Sequence, residues 1–179
     1  MAISIKSDAI NEKQVEDALR GWIGKFPSKL GKVLLLPPDI TRGHSMAGPI
    51  VQILYKILAP TCQVDIMPAL GTHVPVTEEE RLKMFGRDIP RDRFFVHDWR
   101  NEVVKIGEVP FDFVKEVSGG LVDYSIDVEI NRRLLDESYD LILSIGQVVP
   151  HEVVGMANYT KNILVGCGGK DIIDKSHFL

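Results

Sequence analysis

Apolar residues recur at spacings of three and four between positions 10 and 26. Val15, Leu19, Trp22, Ile23 and Phe26 fall on one side, which predicts an amphipathic helix ended by Pro27 and Gly31. Residues 32–36 break that period. Val33-Leu34-Leu35-Leu36 is wholly apolar, the pattern of a strand buried on both faces in a parallel sheet, and Pro37-Pro38 cannot continue it. A second helix is expected over roughly 45–58, with Met46, Ile50, Ile53, Leu54 and Leu58 together, and a second strand over 63–68. Thr77-Glu78-Glu79-Glu80 is a capping box and predicts a helix over about 78–85, closed by Gly86. Strands are also expected at 94–96, 102–109 and 123–130, the last alternating Tyr124, Ile126, Val128 and Ile130. Residues 140–146 read as the clearest buried strand. This order predicts an α/β fold: one domain over 1–179 with a mostly parallel sheet flanked by helices.

Ligands of such sheets bind at the carboxyl ends of strands, so three loops stand out: 37–44, 69–76 and 146–161. Composition narrows what they could bind. With 21 Lys and Arg against 25 Asp and Glu, the net charge of -4 supplies no basic field, so nucleic acid is not an expected partner. No apolar run reaches the ~18 residues that span a bilayer, and Met1 to Lys6 is too short and polar for a signal peptide, so no membrane partner and a cytoplasmic location are expected. Cys62 and Cys167 form neither a disulfide framework nor a CxxC metal motif. The chain stops at Lys175-Ser176-His177-Phe178-Leu179 without a polar tail, which predicts the N-terminal domain of a longer, two-domain protein.

Each loop carries candidate chemistry. In Asp39-Ile40-Thr41-Arg42, a guanidinium before a helix suits an anion and Asp39 could orient it; the plainer reading is a turn cap beside a solvated arginine. Gly71-Thr72-His73 lets backbone approach a ligand and places a histidine at a strand end. The third loop holds His151 and Lys161, a nucleophile if burial lowers its pKa. Gly166-Cys167-Gly168-Gly169 is phosphate-friendly in composition but lacks the order of a nucleotide fingerprint. His44 and His97 read as bystanders, His97 as a structural residue on a strand.

Together, Asp39-Ile40-Thr41-Arg42, Gly71-Thr72-His73, Pro150-His151 with Gly155, Lys161 and His177 resemble the lactate racemase family, whose enzymes use a nickel-pincer nucleotide. The resemblance runs from residue 33 to 179. It implies that Lys161 tethers the cofactor, a pyridinium mononucleotide with sulfur-containing substituents, and that His177 ligates nickel. It further implies that His73 and His151 are catalytic, that Arg42 lies near the substrate, and that Asp39 and Thr41 border the cofactor. Partners so implied are a small 2-hydroxy acid, cofactor-biosynthesis proteins and a C-terminal domain of the same protein. Met156-Ala157-Asn158-Tyr159-Thr160 replaces the family's Phe-Ser-Gly-Gly-Ala run, which points to a sister branch acting on a 2-hydroxy acid other than lactate.

The implied chemistry is sensible on energetic grounds. A histidine of pKa ~6.5 facing a carbon acid weaker by on the order of 20 units meets a deficit well above ~25 kcal/mol, too much for general base catalysis alone. A hydride acceptor changes this: histidine takes the hydroxyl proton, the 2-hydrogen leaves as hydride, and the planar keto acid takes it back on either face. One histidine would then serve each enantiomer, and imidazole with sulfur and carbon donors suits square-planar nickel. The isolated domain is expected to be nearly inactive. Two other classes stay open: a non-catalytic nucleotide-binding or carrier module, and a zinc hydrolase built on His73, His151 and His177.

Overall fold

The computed structural model describes residues 2–177. Helix α1 (Glu12–Ile23) begins at Asn11, whose side chain accepts from the Gln14 amide while Gln14 answers the Asn11 amide. Strand β1 (Lys32–Leu36) follows, then α2 (Ala47–Leu58), β2 (Gln63–Ile66) and α3 (Glu78–Phe85), the last begun by the expected Thr77–Glu80 capping box. After β3 (Val103–Val109), α4 (Phe111–Val117) and β4 (Ile126–Asn131) comes β5 (Leu141–Ser144). A two-rung hairpin of β6 (Pro150–His151) and β7 (Gly155–Met156) leads to α5 (Tyr159–Leu164) and α6 (Lys170–Ser176).

The parallel sheet has the order β2-β1-β5. Val33 to Leu36 on its central strand are fully buried, as a strand covered on both faces must be. Successive side chains leave a strand on opposite faces. Accordingly Val33 and Leu35 join Val51, Leu54 and Leu58 of α2 and Phe85 of α3 in one core, while Leu34 and Leu36 meet Met67, Tyr139 and Cys167 in the other. Each such aliphatic side chain contributes roughly 1.5–3 kcal/mol when buried, so β1 is the anchor from which the strand-end loops are hung.

The fold differs from expectation in three places. Residues 94–96 form no strand: the Phe94 amide bonds the Arg91 carbonyl to close a 3-10 turn, leaving one bridge to Ile66 and a Phe95 amide bond to the Ile66 carbonyl at 2.8 Å. Strands β3 and β4 pair with each other antiparallel, with a register shift between Lys105 and Gly107, and do not extend the parallel sheet. Helices α5 and α6 had no signal in the sequence, because each is short and starts without a side-chain cap. No helix among the described residues is long and apolar enough to cross a membrane.

Candidate active site

The three strand-end loops converge. Beyond β1 and β2 the loops stay joined by the Ala69 amide to the Pro37 carbonyl at 2.8 Å and by a bridge between Pro38 and Ala69. The Gly71 amide bonds the Gly166 carbonyl at 2.8 Å, and Gly71 sits at φ 57, a backbone state in which glycine avoids a side-chain clash. The third loop is fixed by carboxamides. Asn162, buried, donates to the Leu36 carbonyl at 2.8 Å and the Ser144 hydroxyl at 3.1 Å; Asn158 accepts from Ser144 and donates to the Gly146 carbonyl. Helix α5, which carries Lys161, is thereby pinned to the ends of β1 and β5.

The result is a cavity of about 520 Å³, within the range of small-molecule sites. Asp39, Thr41 and Arg42 line it from the first loop, His73 from the second, His151 and Lys161 from the third, and His177 from the end of α6. The residues picked from sequence are therefore brought to one place. His44, set aside as a bystander, also lines the cavity, as do Glu152, Asn158 and Asn162, which sequence reasoning missed. Two asparagines a helical turn apart beside a strand-end lysine were the available signal, but such spacing is common on helix surfaces.

Asp39 is oriented toward different partners than expected. Its carboxylate accepts from the Thr41 amide and hydroxyl, capping the 3-10 turn at Ile40–Ser45, and from His73 Nδ1 at 2.6 Å. It thus holds His73, not Arg42. The carboxylate is buried while the His73 side chain, which lines the cavity, is 60% exposed, so the anchor is fixed and the ring is reachable.

His151 is held differently. Its Nδ1 accepts from the amides of Val153 at 3.1 Å and Val154 at 3.3 Å within the β6–β7 turn. Burial, then the charge of Lys161, pushes its pKa below the ordinary histidine value. Its ring meets that of His177 edge-on, with centroids 5.8 Å apart. His177 Nδ1 bonds the Ile173 carbonyl at 2.8 Å, which leaves the other ring nitrogen bare, as in a histidine set to bind a metal.

Lys161 is half-buried, and burial together with the nearby Arg42 charge lowers its pKa. Neither Arg42 nor Lys161 has a hydrogen bond or ion pair from its side chain among the described residues. Two cations with no ion-pair partner among the described residues face a cavity that Glu152 also lines, an arrangement able to hold an anion, and the lowered pKa raises the fraction of nucleophilic amine.

The glycine run is no phosphate cradle: the amides of Gly166, Gly168 and Gly169 bond the carbonyls of Lys161, Val165 and Glu129. Its glycines serve close packing, since a Cβ at Gly168 would lie 2.0 Å from the Leu164 carbonyl oxygen. His97 is structural, as expected, but stands outside any strand; its ring accepts from Asn131 and donates to the Gly168 carbonyl. A zinc site on His73, His151 and His177 is not formed, because no group of three or more His, Cys, Asp or Glu side chains among the described residues is placed to hold a metal ion. Cys167 is not a reactive thiol, burial pushing its pKa up to about 12.

Comparison with known proteins bears on this cavity. Residues 3–179 match the model of the lactate racemase N-terminal domain family. The lactate racemase of Lactiplantibacillus plantarum is 29% identical over 150 residues, covering 81% of this chain and 32% of that protein. The lactate racemase of Thermoanaerobacterium thermosaccharolyticum is 31% identical over 120 residues, covering 65% of this chain and 25% of that protein. The chain thus spans a third or less of these relatives. A crystal structure of a Thermotoga maritima protein superposes with TM-score 0.84 at 25% identity over 97% of this chain and 42% of its own. The lactate racemase apoprotein of T. thermosaccharolyticum has the same fold, with TM-score 0.60 at 24% identity over 87% of this chain and 37% of that chain.

Proposed function

Because the chain belongs to the lactate racemase N-terminal domain family, we propose that it is the cofactor-bearing domain of a 2-hydroxy acid racemase or epimerase, an isomerase that uses a lysine-tethered nickel-pincer nucleotide. The observation that carries this reading is the convergence, in one cavity, of an unpaired amine of lowered pKa and a histidine whose tautomer leaves a nitrogen bare. The residues fit the group. Lys161 offers the nucleophilic amine that a tether requires, and His177 offers a nitrogen donor of the softness nickel accepts. Asp39 and Thr41 border the cofactor's place, though their side chains are occupied with each other and with His73. When bound, the pincer nucleotide supplies an acceptor for the hydrogen at C2 of the substrate.

The chain's own residues do the rest. Arg42, which has no ion-pair partner among the described residues, forks the substrate carboxylate. His73 and His151 handle the hydroxyl proton on the two sides of the cleft. Ala157 and Asn158, which line the cavity from the Met156 to Thr160 stretch, support a substrate other than lactate. A C-terminal domain closes the open side, cofactor-biosynthesis proteins load Lys161, and the isolated piece turns over little. The protein works in the cytoplasm, where its two buried free cysteines stay reduced.

The test is racemisation. Each enantiomer of a panel of 2-hydroxy acids is offered to the full-length, cofactor-loaded protein and followed by chiral chromatography. Conversion of at least one pair by wild type and none by Lys161→Ala is expected; no conversion by a loaded enzyme would refute the reading.

A further inference from the structure

The charged side chains that line the cavity are Asp39, Arg42, Glu152 and Lys161. Asp39 is buried and occupied by Thr41 and His73, and on the proposed function Lys161 is spent on the cofactor. Arg42 and Glu152 are left to meet a substrate. Glu152 follows His151 in the β6–β7 turn, and its carboxylate lies 3.6 Å from His151 Nε2, beyond hydrogen-bond reach. Its side chain is 75% exposed, and no ion pair joins it to Arg42 or Lys161 among the described residues. Its own backbone amide, then the His151 ring, and then Arg42 and Lys161 hold its carboxyl below the ordinary glutamate range. At neutral pH it is a carboxylate, able only to accept hydrogen bonds.

The geometry points to a two-ended site: Arg42 takes the substrate carboxylate, while Glu152 is a specificity-determining residue that accepts from a further hydroxyl of the substrate and turns away a second carboxylate. This rests on the proposed racemase reading and adds a substrate class to it, namely 2-hydroxy monocarboxylic acids that carry at least one more hydroxyl. Paired with each other, Arg42 and Glu152 would cancel and select nothing. Unpaired in one cavity, they present opposite charges apart from one another, which suits a ligand with an anionic end and a donor end. A dicarboxylic 2-hydroxy acid meets Arg42 with one carboxylate and finds no other uncommitted cation among the described lining residues for the second. Like charge at Glu152 then costs it binding. Lactate, with a methyl where the donor would be, leaves the Glu152 carboxylate to solvent and gains nothing from it.

The test compares lactate, glycerate and malate, which differ only in bearing a methyl, a hydroxymethyl or a carboxymethyl group at C2. Full-length, cofactor-loaded protein should racemise glycerate with a kcat/KM on the order of 10-fold above that for malate. Glu152→Gln keeps the shape of an exposed side chain and removes its charge. It should raise the malate-to-glycerate ratio on the order of 10-fold, and Glu152→Lys should raise it further. Calorimetry on the unloaded full-length protein reads the same ratio as affinities, with no chemistry required. A ratio that Glu152→Gln leaves unchanged in both measurements, or a wild-type preference for malate, would overturn the inference and leave the racemase reading standing. Loaded protein that racemises none of the three, while the affinity ratio shifts as described, would instead count against the racemase reading alone.

Discussion

The side-chain amide of Asn162 donates to the carbonyl of Leu36, 126 residues away in sequence, at 2.8 Å. Leu36 ends the central strand and Asn162 follows Lys161 on its helix, so this bond sets where the lysine enters the cavity. Asn162→Ala removes one of two donors to the Leu36 carbonyl, which keeps the Ile145 amide at 3.0 Å, and should cost about 0.5–1.5 kcal/mol in urea unfolding. Asn162→Asp, with a second acceptor facing the carbonyl, should cost more. Unchanged stability in both would mean that the clamp contributes nothing.

Asn158 and Tyr159 both have positive φ, at 56 and 55. Asn158 is compensated by its bonds to Ser144 and Gly146, whereas Tyr159 is 69% exposed. Relief of left-handed strain, roughly 1–2 kcal/mol, outweighs the glycine entropy cost of roughly 0.5–1 kcal/mol at Tyr159. Tyr159→Gly should therefore raise Tm and Asn158→Gly lower it. Shifts of the same sign would contradict this.

His97 gives the fold an acid-sensitive point. Burial lowers its pKa below the ordinary 6.5, and both ring nitrogens are bonded in the neutral form. The unfolded chain then binds the proton more readily, so the stabilisation is fully present above pH 6.5 and is lost as pH falls through that value toward the folded pKa. Each unit of depression is worth about 1.36 kcal/mol. His151, also depressed, acts with the same sign. His97→Gln should flatten the fall in urea midpoint between about pH 7 and pH 5 relative to wild type; identical pH profiles would remove His97 from the account.

The glycine run separates packing from ligand binding. Gly168→Ala drives a Cβ to 2.0 Å from the Leu164 carbonyl oxygen and should destabilise by about 1–3 kcal/mol or more. Gly107, with nothing within 4 Å of an added Cβ, should accept alanine with little loss. Thermal unfolding of the two variants decides; equal effects would count against a packing role.

Legibility of the molecule in its sequence followed the strength of local signals. Four consecutive apolar residues before Pro37-Pro38 mark the central strand, and Thr77 with Glu80 marks a helix start, because each encodes its structure within a few positions. Phe94 to Val96 misleads, since aromatic and β-branched residues favour strands but the Arg91 carbonyl takes the amide the ladder would need. The cavity residues were legible because strand-end loops of a parallel sheet must meet. The bond from His73 to Asp39 was not, since it joins two loops whose relative height depends on the Ala69–Pro37 hydrogen bond. Likewise the donors on His151 are backbone amides, which no side-chain motif advertises.

On the proposed function, Lys161 carries the cofactor and His177 holds its metal. Full-length protein made together with cofactor-making enzymes should show, by intact mass and peptide mapping, an added mass on Lys161 with stoichiometric nickel. Lys161→Ala should lose both, and His177→Ala should keep the mass but lose nickel. An unmodified Lys161 in protein from cells that load a known lactate racemase would contradict the account.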